Sequence, residues 1–225
     1  MDYYVPLGSD CVIATVLRKR GLRIEALPFD WLFDHKIENI KFYLSNDFEE
    51  FGGQKNLVLS GGSNVKIYIR HDDRDDEVEK ALFYTNKHGT EFRHDFKDTI
   101  NSESYALFKD KYLRRFMRLN NLFHSGKHLI FIRYETITEN LSESKVRELY
   151  DFLHGKLTNN TTMKLILLVV KPSKEQKIWL KKLSALNIVY KELPSKVNYG
   201  AIEKFKWNEI LDLNKIAKTN SAYAL

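Results

Sequence analysis

The sequence predicts an α/β protein: a doubly wound, mostly parallel sheet carrying an antiparallel β insertion at about residues 55–97. Three observations carry that expectation. The second half alternates runs that are apolar throughout, HLIFIRY (128–134), MKLILLVVK (163–171) and NIVYKEL (187–193), with amphipathic stretches. Strands apolar on both faces belong to a parallel sheet that is covered on both sides. The N-terminus repeats the pattern, with YYVPLG (3–8) followed by CVIATVLRKRG (11–21), and the middle of the chain reads instead as hairpins.

Each element has its own signal. The first strand ends at Gly8, and the helix after it carries basic residues in its last turn and Gly21 as its C′ residue. LRIEALPFDWLFD is irregular around Pro28, and KIENIKFYLSNDFEEF (36–51) has helical spacing at Ile37, Ile40 and Leu44. NLVLSGGSNVKIYIR reads as two strands around a Ser-Gly-Gly-Ser turn. ALFYTNKHGTEFRHDF reads as a second hairpin turning at Asn-Lys-His-Gly, and the acidic HDDRDDEVEK between them as a solvated linker. Residues 104–126 form a strong amphipathic helix, with Leu107, Phe108, Tyr112, Phe116, Leu119 and Phe123 on one side and Gly126 at its end. Residues 142–157 and 173–186 are helices that Ser142 and Ser173 can cap. WNEILDLNKIAKTNSAYAL is a short helix with a frayed tail.

Composition bounds the function. The 225 residues suit a single domain over residues 1–225, with 43% hydrophobic and 29% charged residues. A formal net charge of +6 favours anionic partners. The single cysteine excludes an internal disulfide and multi-cysteine zinc sites, so no metal is expected. No secretory leader and no run long enough to span a bilayer is present, which points to a cytoplasmic protein. There is neither G-x-G-x-x-G nor a Walker sequence, so nucleotide binding of those kinds has no support, and the basic stretches lack aromatic interleaving, so nucleic acid is not an expected partner.

The chemistry concentrates at residues 8–11. In open α/β sheets ligands bind beyond the carboxyl ends of the strands. Gly8, Ser9 and Asp10 make the turn there, and Cys11 opens the helix. Amides at a helix start favour an anion, whether a thiolate, an oxyanion or a phosphate. Cys11 is therefore either a nucleophile or a small core residue. A thiol nucleophile needs a base. His94, after a strand and flanked by Arg93 and Asp95, is the first choice, and His71 the second. His35, His88, His124, His128 and His154 sit in turns or at element ends. Asp95 or Asp30 could fix the tautomer of the base. Phe29 and Trp31, around Asp30, read either as a substrate wall or as a loop pinned to the core. Arg133, at a strand's carboxyl end, either grips a substrate carboxylate or phosphate or pairs with Glu135.

PLGSDCVIATVLRKRGLRIEALPFDWLFD resembles a family of bacterial and large-virus proteins of unknown function with an S-L-G-x-x-C…L-R-x-x-G-L-R…P-F-D-W signature. The resemblance extends to RHDF, YLRRFMRLNNLF and HLIFIRYET, covering roughly the first 135 residues, with Pro6 departing from the pattern. The family is labelled papain-like cysteine peptidase. That label implies Cys11 as nucleophile, His94 as base, and Asp95 or Asp30 as third member. The alternation after residue 104 matches Rossmann-like or SGNH-hydrolase-like folds better than the two-lobed papain arrangement. Some polysaccharide-biosynthesis acetyltransferases similarly place a Gly-x-x-Cys turn after their first strand.

The expectation is a cysteine-dependent hydrolase or acyl transferase, acting on an anionic bacterial surface glycan or on an acyl donor such as coenzyme A, with no required cofactor. The alternative is a non-catalytic binding or assembly module in surface-polysaccharide synthesis.

Overall fold

A computed structural model describes residues 2–63, 81–197 and 199–211. In chain order, β1 is Asp2–Pro6, α1 Val12–Lys19, β2 Leu32–Phe33, α2 Glu38–Ser45, α3 Phe48–Gly52 and β3 Val58–Ser63. They are followed by β4 (Ala81–Thr85), β5 (Glu91–Phe96), α4 (Ser102–Leu122), β6 (His128–Glu135) and α5 (Glu143–Gly155). The chain continues through β7 (Thr162–Val170), α6 (Lys174–Lys182), β8 (Ile188–Leu193) and α7 (Trp207–Ile210).

The apolar runs pair in parallel, in the order β1-β6-β7-β8. Alternate residues face opposite sides of a strand. Tyr3, Val5, Leu129, Phe131, Leu165 and Leu167 therefore share a core with α4, α5 and α6. Tyr4, Ile130, Ile132, Ile166 and Leu168 meet α1 and the C-terminal residues Ile202 and Trp207 on the other face. The sheet is covered on both sides, as its composition requires. A doubly wound sheet also reverses its strand order, and the described strands do not: each crossover moves the same way, from β1 to β8. Right-handed crossovers in one direction put their helices on one face, where α4, α5 and α6 lie. The described strands thus form no switch-point crevice, and the β1–α1 turn stands at one border of the sheet.

The insertion is a second sheet, antiparallel, ordered β2-β5-β4-β3. The hairpin with its turn at residues 86–89 forms where expected. Ser60, Gly61, Gly62 and Ser63 are not a turn. They lie within β3, paired to β4 with a register shift between Leu59 and Gly61. Glycine in a strand commonly marks such a bulge. The acidic linker and His71 lie outside the described residues.

Helix α4 joins the two sheets. Phe108 and Tyr112 pack on Phe92 of β5 at ring-centroid distances of 5.1 and 5.8 Å. The next helical turns carry Leu119 and Leu122 into the core shared with β1 and β6, and Phe123 stacks on Phe131 at 6.1 Å. Leu107, assigned to the inner face by its spacing, is 52% exposed. The helix ends before Gly126, with Phe123 as its C-cap. Elsewhere the terminal signals hold. Ser142 caps α5, and Ser173 forms a capping box with Gln176 on α6. Gly21 closes α1 in a Schellman arrangement, with Gly21 N–H donating to Arg18 O and Leu22 N–H to Leu17 O.

Candidate active site

The chain leaves the parallel sheet late. Leu7 N–H still donates to Ile132 O at 2.8 Å, so the turn begins at Gly8. Gly8 and Ser9 both take left-handed backbone, with φ +75° and +71°. For serine this costs about 1–2 kcal/mol, and neighbouring contacts hold it there. Asp34 N–H donates to Ser9 O at 3.1 Å, which lays the β2 segment alongside the turn. Asp10 Oδ1 accepts from Val12 N–H at 2.8 Å and satisfies one of the open donors at the start of α1. Asp10 therefore caps the helix from outside, and Cys11, in the N-cap position, makes no side-chain cap bond.

Cys11 stands at the carboxyl edge of the parallel sheet, as its sequence context predicts. Its side chain is only 3% exposed and packs with Ala14 and Trp31, with Phe33 against the group. The Trp31 indole also meets the His94 ring, centroid to centroid 5.8 Å. One indole thus has both the only cysteine and the expected base as neighbours. Arg18 and Arg23 stand over the same indole at 5.7 and 5.4 Å.

The geometry of β5 explains where its side chains go. Tyr84 pairs with Phe92 and Leu82 with Phe96, so four residues of β5 advance against two of β4. Within this bulged stretch His94 meets Trp31, while Asp95 meets Lys111 and Tyr112 of α4. Asp30, fully buried, is engaged by Arg23, whose Nη2 lies 2.8 Å from Oδ2, and by Leu27 N–H at 3.0 Å. Both candidate third members thus have structural partners of their own. Phe29 packs edge-on against Phe116 of α4 at 6.0 Å and belongs to the main core. Of the two rings in PFDW, only Trp31 joins the cysteine's packing group.

Arg133 and Glu135 end the row that begins with Leu129 and Phe131. The Arg133 side chain is fully buried. Its Nε donates to Glu135 Oε1 at 2.6 Å, Nη1 to Leu7 O and Nη2 to Asp34 O, both at 2.8 Å. All three guanidinium nitrogens are used on the protein. Arg133 fastens β1, the β2 segment and β6 together behind the turn, and its reading as a substrate grip gives way to a positioning role. A Cβ on Gly8 would lie 3.5 Å from Arg133 Nη1 and 3.5 Å from Phe29 O, so the turn is seated directly on this arginine.

Sequence reading passed over His35. Trp31 lies in the turn before β2, and His35 follows two residues after Phe33, the last residue of that strand. His35 Nδ1 lies 3.4 Å from Ser9 Oγ. Burial, then the charges of Arg133 and Lys196, push the His35 imidazole below its ordinary value, with Asp34 opposing. Burial raises the Asp10 carboxyl, while its bond from Val12 N–H and the charges of Lys196, Arg133 and Arg93 hold it down. Three cations from separate parts of the chain thus act on the turn. The placement of His35 two residues after Phe33 was visible in the sequence. The approach of Lys196 was not, because it depends on where β8 ends.

Among the described residues, no group of three histidine, cysteine or acidic side chains is placed to hold a metal ion. No helix among them is long and apolar enough to cross a membrane.

Residues 2–173 match a family model described as "Putative papain-like cysteine peptidase". The chain is also 39% identical over 216 residues to an uncharacterized protein of Acanthamoeba polyphaga mimivirus, covering 92% of this chain and 96% of that one. No solved structure matches. The chain belongs to the family that this model describes.

Proposed function

We propose that this chain is a cysteine-dependent hydrolase or acyl transferase whose reacting atom is Cys11 Sγ. The observation that carries the reading is the shared indole: Trp31 belongs to one packing cluster with Cys11 and Ala14, and its ring meets that of His94. The family's description as a cysteine peptidase supports hydrolysis at a cysteine. In this reading His94 accepts the thiol proton and later returns it to the leaving group or takes one from the acceptor. The carbonyl carbon bonds to Sγ, the leaving group departs with a proton, and water or an acceptor hydroxyl then displaces the thiol. Amides of the turn before Val12, whose own N–H is engaged by Asp10, stabilise the oxyanion. The cations around the turn favour an anionic glycan or a phosphate-bearing acyl donor such as coenzyme A over a neutral substrate. No bound cofactor is needed for this chemistry, and a reducing cytoplasm would keep the single thiol reduced.

The burial of Cys11 favours a second reading, a binding or assembly module in which the thiol only packs. Turnover separates the two. Acyl-coenzyme A thioesters, acetylated sugars and a peptide pool would be offered to the wild type, Cys11→Ala and His94→Ala. The enzyme reading expects turnover in the wild type, lost by orders of magnitude in both variants. Melting temperatures should change little, because removing one sulfur costs on the order of 1 kcal/mol. No cleavage by the wild type, with a sharp loss of stability in Cys11→Ala, would sustain the module instead.

A further inference from the structure

We infer that Arg93, stacked on Phe33 beside Cys11, selects substrates that carry a carboxylate next to the bond attacked. This rests on Cys11 being the reacting group. The guanidinium carbon lies 4.0 Å from the Phe33 ring centroid and 5.1 Å from that of Phe83. Two phenyl rings thus hold the planar group, and Phe33 in turn packs against Cys11, Ala14 and Trp31. Glu91 pairs with the Arg93 Nε, and Glu91 itself accepts from Ser60 Oγ at 3.1 Å. The pair is anchored at its carboxylate end, which fixes the guanidinium with little rotamer freedom left to lose on binding.

Exposure separates Arg93 from Arg133. Arg133 is fully buried and used by protein groups, whereas the Arg93 side chain is 37% exposed. Its charge, like those of Arg133 and Lys196, acts on both Asp10 and His35. A stacked arginine presents fixed donors to a planar anion. The anion expected is a monoanionic carboxylate. Glu91 and Asp10 already place negative charge near this cation, and a dianionic phosphate would meet stronger repulsion from both.

A matched pair of thiol reagents reads this directly, because the chain has one cysteine. Iodoacetate and iodoacetamide both alkylate by the same displacement: a C–S bond forms, the C–I bond breaks and iodide leaves. They differ in carrying a carboxylate or a neutral amide. The ratio of their rates at Cys11 in the native protein should fall about tenfold in Arg93→Gln, the size expected of one partly screened charge contact. The iodoacetamide rate should stay near the wild type, and Arg93→Lys, which keeps the charge, should retain part of the ratio. Acetate should slow iodoacetate more than an equal concentration of inorganic phosphate does.

An unchanged ratio in Arg93→Gln would overturn the role of Arg93 while leaving Cys11 reactive. Equal losses with both reagents would assign Arg93 to the fold and likewise overturn it. Stronger protection by phosphate would overturn the carboxylate. If neither reagent modifies the folded wild type, the reading of Cys11 as the reacting group fails first, and the inference fails with it.

Discussion

Replacing Arg133 with methionine tests how the turn is held. The guanidinium is fully buried and donates to Glu135, Leu7 O and Asp34 O over 2.6–2.8 Å. Methionine keeps much of the volume and removes every donor. Glu135, 2% exposed at its side chain, would be left without its cation. Breaking a buried ion pair from one side costs about 3–5 kcal/mol, and the two buried carbonyls lose donors at about 1 kcal/mol or more each. The sum is about 5 kcal/mol, moderated by whatever water enters. Urea denaturation should show a midpoint lower by about 2 M, taking a slope of about 2–3 kcal/mol per molar. The double variant Arg133→Met with Glu135→Leu should recover a large part of this, since the stranded charge is then gone. Burial already raises the Glu135 carboxyl, with Arg133 opposing, so the single variant should also lose less at low pH, where Glu135 can protonate. A midpoint shift below about 0.3 M in the single variant would refute the argument, because a guanidinium that can be removed so cheaply is not holding three chain segments together.

Other consequences follow from the same geometry. Gly8→Ala should destabilise by about 1–2 kcal/mol, because φ is +75°, a backbone that a side chain rarely adopts; thermal melting checks it, and no loss would mean that the turn relaxes. His35 has a lowered pKa, so the unfolded chain takes up its proton first on acidification. Stability should therefore fall as pH drops below the ordinary imidazole range, and His35→Asn should flatten that dependence; an identical pH profile in the variant would contradict the assignment. Asp30→Ala should cost about 3–5 kcal/mol by breaking the buried pair with Arg23, whereas a residue acting only in catalysis would lose activity at unchanged stability.

The fold was largely legible because its signals are local. Apolar runs such as MKLILLVVK can be satisfied only inside a covered sheet, and Ser142, Ser173 and Gly21 mark helix ends through bonds to their own neighbours. Strand order is not local. Nothing in the four apolar strands says whether the chain turns back across β1, and here the described strands proceed steadily away from it. The Ser-Gly-Gly-Ser stretch misled for a related reason: glycine serves a bulged strand as readily as a turn, and only the pairing with β4 decides between them.

The site divides in the same way. Residues 8–11 could be placed from the strand-glycine-helix pattern, because the turn is built by contiguous chain. The partners of each charged group could not. Asp95 faces Lys111 and Tyr112 because β5 is bulged, and Arg133 faces inward because β1 and β6 are neighbours in register. A buried arginine at a strand end is ambiguous in sequence between gripping a ligand and bracing a loop. Counting its bonds resolves the ambiguity: a guanidinium whose three nitrogens all serve the protein braces, whereas Arg93 on the neighbouring sheet, paired with Glu91 through Nε, is part-exposed. The division is physically consistent, since the brace must stay fixed for the strained Gly8–Ser9 turn to persist, while selectivity needs a charge that solvent and substrate can reach.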